Sequence, residues 1–297
     1  MPTARQHHYI PQWYLGGFTD TGTADGFITV HDLKENRDFR TRPQGVGSQR
    51  DFNRVEIDGI EPDFLEKSWS QFEGDASQAV GRILEVGSLD NKEDLSYLLN
   101  LIALLAIRNP RARELVNRSQ EQILRMMGQM TLANKESYEK IVASARADGV
   151  DIPDSVSYEQ MKDFIDRDEY DIQIPRESNI QLELGLLNDI INLLHARKWS
   201  LFTPENEDSH FVSCDHPVAL AWRDPEVSMP IGFGLRNTEV SFPINKRYLL
   251  VGVFEDDLES FYSVPDMMVA FANNERRRIA KRHVYSSSES YLYAMKK

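Results

Sequence analysis

The sequence predicts an α+β fold, with a helical middle and short antiparallel β segments in the N-terminal and C-terminal thirds. Three observations predict it. Apolar residues recur at helical steps of three and four from Leu65 to Leu194, while short β-branched and aromatic runs bounded by Gly and Pro lie on either side. No Pro/Gly/Ser-rich linker separates the two regimes, so the chain is read as a single α+β domain over 1–297. A chain of 297 residues can bury a substantial core without disulfides or a structural metal.

The elements follow in order. Residues 27–32 read as a strand after the Gly-rich turn at 21–26, with 38–41 as hairpin partner. Pro62 suits a first helical turn, and Leu65, Trp69, Phe72, Ala76, Val80 and Ile83 then supply one apolar face. A second helix fits 93–109, burying Leu95, Leu98, Leu99, Ile102 and Leu105, and Pro110 ends or kinks it. A third starts at Arg111, with Leu115, Val116, Ile123, Met126, Met127 and Met130 as its stripe. The more polar stretch 137–175 holds helical pieces at 136–147 and 157–167, and helical periodicity returns at Ile180, Leu184, Leu187, Ile191 and Leu194. Strand-like runs occupy 210–222, 225–234, 238–244 and 247–254. A last helix fits 265–282 and a short strand 283–285.

Composition limits the function classes. Lys plus Arg number 34 and Asp plus Glu 47, a formal charge of −13 that excludes a general cationic coat for nucleic acid. A phosphate-bearing small molecule or a nucleic acid would have to meet a local basic patch. Arg276, Arg277, Arg278, Lys281 and Arg282 form one such cluster near the end of the chain. One cysteine, Cys214, excludes an intrachain disulfide framework and a Cys-cluster metal site. The longest apolar stretch, 95–107, is shorter than the roughly 20 residues of a spanning helix, so no membrane partner is expected. With no apolar signal segment at the N-terminus, the expected location is cytoplasmic.

The run from Gln6 through His7, His8, Tyr9, Ile10, Pro11, Gln12, Trp13, Tyr14 and Leu15 to Phe18 is distinctive. Asp51-Phe52, Leu65-Glu66, Phe72-Glu73, Ile107-Arg108-Asn109-Pro110, Phe211 to Pro217 and Ser241-Phe242-Pro243-Ile244 follow as further landmarks. Together they resemble the bacterial family catalogued as domain of unknown function 4238, over nearly the whole chain. His216 departs from that pattern, which usually has Asn there. The resemblance implies no established reaction.

The candidate site therefore rests on chemistry. His7 and His8 point to opposite sides of an extended chain, so one can face a pocket while the other anchors the fold. Glu66 and Glu73, two helical turns apart, project from nearly the same side with Trp69 between them, an arrangement suited to a divalent ion or to acid/base work. Arg108 closes an apolar helix and can pair with those carboxylates or with phosphate. Asp215 follows a strand-like run, where a carboxylate is held rigidly beside a loop. Ser213, Asp215 and His216 are too crowded for a hydrolase triad, and no Gly-x-Ser-x-Gly, P-loop, H-E-x-x-H or C-x-x-C motif occurs.

These residues lead to an expected metal-assisted hydrolase, a nuclease or phosphodiesterase. His8, Glu73, Arg108 and Asp215 would act in catalysis; Glu66, Glu73 and Asp215 would bind Mg or Mn. His7, Gln12 and Asn274 would contact substrate. The alternative is a non-enzymatic binding or regulatory module in which the same side chains form a structural network.

Overall fold

Helical periodicity and β-branched runs sort the chain into the α+β arrangement expected, with helices in the middle and small, largely antiparallel sheets at both ends. The structure, a computed structural model, describes residues 5–54, 61, 64–153, 157–255, 258–291 and 293. Pro62, expected to open the first long helix, lies outside the described residues. The chain forms two compact units, one built from 1–112 with 180–297 and the other from 113–179.

In the first unit, β1 (Gln6–His8) is followed by α1 (Gln12–Gly16) and by the hairpin of β2 (Ile28–Asp32) and β3 (Arg37–Thr41). β4 (Ser48–Arg50) returns to pair antiparallel with β1, placing His7 opposite Gln49 and His8 opposite Ser48. α2 (Phe64–Val86) and α3 (Lys92–Ile107) then pack together. They run antiparallel, because Arg82 near the end of α2 meets Asp94 near the start of α3 at 2.5 Å. Asn91 caps α3 by accepting from the backbone N–H groups of Glu93 and Asp94. Leu98, Leu99, Ile102 and Leu105 are buried in the main core, as the periodicity requires, so the longest apolar stretch is core helix. No helix among the described residues is long and apolar enough to cross a membrane.

Pro110 breaks the helix instead of kinking it. It opens α4 (Pro110–Thr131), where its missing N–H costs nothing, and the Asn109 side chain accepts from Ala112 N at 2.9 Å as the cap. The second unit contains most of α4, then α5 (Lys135–Ala147) and α6 (Tyr158–Arg167), which opens on a reciprocal capping box between Ser157 and Gln160. The apolar stripe expected on α4 stays open, with Met130 68 % exposed. Periodicity specifies the helix there, and no burying partner follows from it.

The first unit resumes along α7 (Arg176–His195). β5 (Lys198–Pro204), β7 (Ala219–Trp222), β8 (Thr238–Pro243), β9 (Leu249–Val253) and β10 (Phe261–Val264) make a five-stranded sheet in the order β10-β5-β9-β8-β7. Only its edge pair, β10 with β5, is parallel. β6 (Ser213–Cys214) joins a second sheet, β3-β2-β11-β6, through β11 (His283–Ser286), which follows α8 (Asp266–Ile279). The run 225–234 is turn and coil, since two prolines and two glycines interrupt what its β-branched residues suggest.

Candidate functional site: a His–Glu–Arg cluster beneath the first strand

The strand period separates the two histidines. His7 turns inward, is buried, and accepts at Nδ1 from the backbone N–H of Asn53 at 2.9 Å. His8 turns the other way; Gln12, exposed in the first turn of α1, approaches its Nδ1 through Nε2 at 3.5 Å. Asn53 reaches His7 because Asp51 takes a left-handed turn with φ of 56°, a conformation that Asp tolerates. Tyr9 and Phe52 hold the strand onto that turn with ring centroids 5.6 Å apart.

Asn53 links the strand to the helix. Its side-chain Nδ2 donates to Glu66 Oε2 at 2.8 Å, so His7, Asn53 and Glu66 form a continuous chain. Further along α2, Trp69 lies under the Arg108 guanidinium at 5.3 Å, and Arg108 Nη2 donates to Glu73 Oε1 at 3.2 Å. Arg108 is delivered there by the abrupt end of α3 ahead of Asn109-Pro110.

Electrostatics tie the set together. Burial pushes the Glu73 carboxyl above its ordinary value, the Glu66 charge adds to this, and Arg108 opposes it. Burial lowers the His8 imidazole below its ordinary value, against the Gln44 backbone and the Glu66 charge. Glu66 is thus within electrostatic reach of both His8 and Glu73, and four of the expected residues, His8, Glu66, Glu73 and Arg108, come together. His8, Glu66 and Glu73 are half-buried, so the cluster has a face to solvent.

Asp215 and Asn274 are not brought to this cluster. The Asp215 carboxylate is buried and accepts three backbone N–H groups, from Lys281 at 2.7 Å, Arg282 at 2.7 Å and His283 at 2.9 Å. It holds the turn between α8 and β11. Asn274 lies half-buried on α8, whereas its neighbour Asn273 is fully buried and brackets Val212 N and His210 O at 2.9 Å each. Ser213 Oγ pairs with Tyr14 Oη at 2.9 Å, and burial pushes the Cys214 thiol up to about 12. Neither is poised as a nucleophile.

Sequence reasoning missed Asn53 and Gln44, and it placed Trp69 between the two glutamates without giving it the Arg108 guanidinium as partner. The Asp51-Phe52 landmark sits beside Asn53, but only the folded turn shows that its amide spans strand and helix. Among the described residues, no three His, Cys, Asp or Glu side chains form a group that could hold a metal ion.

Fold and site together define an α+β protein with a half-buried carboxylate–imidazole–guanidinium centre. The family model described as protein of unknown function (DUF4238) matches residues 6–290, and the chain belongs to that family. No curated protein and no solved structure matches it.

Proposed function

We propose that the cluster beneath β1 is the hydrolytic site of a phosphodiesterase or nuclease of the cytoplasm. The observation that carries this reading is the convergence of His8, Glu66, Glu73 and Arg108 from three separate segments, with the His8 and Glu73 values shifted in opposite directions. His8, with its value lowered, is suited to take a proton from water attacking phosphorus. Arg108 stabilises the charge that develops on the phosphoryl oxygens as the ester P–O bond breaks. Glu66 and Glu73 would hold Mg or Mn, which supplies Lewis-acid polarisation of the phosphate. Gln12, exposed beside His8, is free to contact substrate, and His7 keeps Asn53, and through it Glu66, in place.

One observation favours the alternative of a binding or regulatory module: Glu66 and Glu73 already have protein partners in Asn53 and Arg108. A panel of DNA, RNA and nucleotide substrates, with and without Mg or Mn, separates the two. The hydrolase predicts ion-dependent product from at least one phosphodiester. Silence across the panel supports the module.

A further inference from the structure

The basic cluster near the end of the chain resolves into cations with different fates. Arg277 stacks on Tyr293 and donates to Tyr291 Oη, Arg278 pairs with Glu275, and Arg282 pairs with Asp32. Arg276 differs from all three. It is 1 % exposed, its Nη2 donates to Ser241 Oγ at 2.7 Å, and its Nε and Nη1 are buried without a hydrogen-bond partner. It makes no direct ion pair among the described residues, and the Glu239 and Glu275 carboxylates lie only within electrostatic reach of it. A guanidinium removed from water at such cost calls for acceptors with negative charge.

The same neighbourhood holds a second guanidinium and an imidazole. Arg111, half-buried in the first turn of α4, gives Nη1 to the Ile279 carbonyl at the end of α8. His216 Nδ1 is also buried without a partner. His216 and Cys214 both lie within electrostatic reach of Arg111 and Arg276, and α8 packs on β6 and β7 at this point. Burial and the two guanidiniums push the His216 imidazole down to about 4, so it is neutral at physiological pH and its Nδ1 can carry a donor proton.

We propose that Arg276, Arg111 and His216 form an internal site for one small phosphate-class oxyanion. Two guanidiniums without a directly paired carboxylate suit a doubly charged oxyanion better than a carboxylate, and Arg111 and His216 are the half-buried members of the set. The test is calorimetric titration of the full chain with inorganic phosphate, a nucleoside monophosphate, sulfate and acetate. Phosphate and sulfate are expected to bind one per chain, more tightly than acetate; a monophosphate binding better than phosphate would identify an esterified source. Because Arg276 variants risk misfolding, Arg111→Ala is the main variant, expected to weaken phosphate by about tenfold, while Arg118→Ala, which removes an exposed arginine of the same helix, leaves it unchanged. Absence of phosphate binding, equal binding by acetate, an Arg111→Ala protein that binds as wild type, or equal loss of binding in Arg118→Ala would each overturn the assignment.

Discussion

Arg108 and Glu73 form an unequal pair: the guanidinium is 2 % exposed, the carboxylate 21 %, and one hydrogen bond of 3.2 Å joins them. The cation has given up its water more completely than its partner has. The Trp69 face compensates part of that loss, and Glu73 supplies the opposing charge.

Removing that charge takes a carboxylate partner from a buried guanidinium. Glu73→Ala is expected to lower the unfolding free energy by about 2 kcal/mol, less than the roughly 3–5 kcal/mol of a fully buried pair because Glu73 keeps some water. Glu73→Gln keeps an acceptor and should cost less. The pH sign is set by the raised carboxyl: folding favours protonated Glu73, a contribution full below the ordinary value of 4.5 and lost as pH rises through the folded value. Urea titrations of wild type and Glu73→Gln should therefore diverge over that rise. Equal midpoints for wild type and Glu73→Ala would refute the pairing.

His216 runs the opposite way. Its folded value of about 4 lies below the ordinary 6.5, so folding favours the neutral ring. The associated stability is complete above the ordinary value and is lost as pH falls through the folded one, amounting to about 3 kcal/mol at the limit. His216→Asn should flatten this acid limb of the stability curve. An unchanged limb would mean that the ring is not buried neutral.

Gly16 sits where the motif after β1 folds back. A Cβ there would lie 2.7 Å from Ala24 N and 2.9 Å from Thr23 C, both backbone atoms that cannot rotate away. Gly16→Ala should destabilise the fold by about 1–3 kcal/mol, read by thermal unfolding. A wild-type melting temperature would show that the segment 23–24 yields freely.

Cys214 should be chemically silent. Buried, with its thiol pushed up to about 12, it should resist iodoacetamide in the native protein and react once urea unfolds it. Rapid native labelling would contradict its placement.

Much of this fold was legible in the sequence because periodicity reports burial. α3 appears within two residues of its expected start and end, and Pro110 explains the break. β1 and β4, of three residues each, and β10, of four, were not singled out, since runs so short carry too little alternation to register. The α4 stripe shows the converse, a correct helix with an open apolar face. At the site, two-turn spacing on α2 was enough to join Glu66 with Glu73, and a helix stop was enough to suggest Arg108. Asp215 shows what spacing does not reveal: a carboxylate after a strand can be consumed by three backbone N–H groups that lie 66 to 68 positions away. Asn53 needed the left-handed turn at Asp51 before its role had any signal at all.

The most direct test of the account is turnover of a phosphodiester in the presence of Mg or Mn by wild type, Glu73→Gln and His8→Asn, with urea midpoints measured on the same samples. The account predicts that wild type turns over and that both variants lose about a hundredfold or more while the His8→Asn midpoint stays near wild type. Turnover retained in both variants, or none in the wild type, would contradict it.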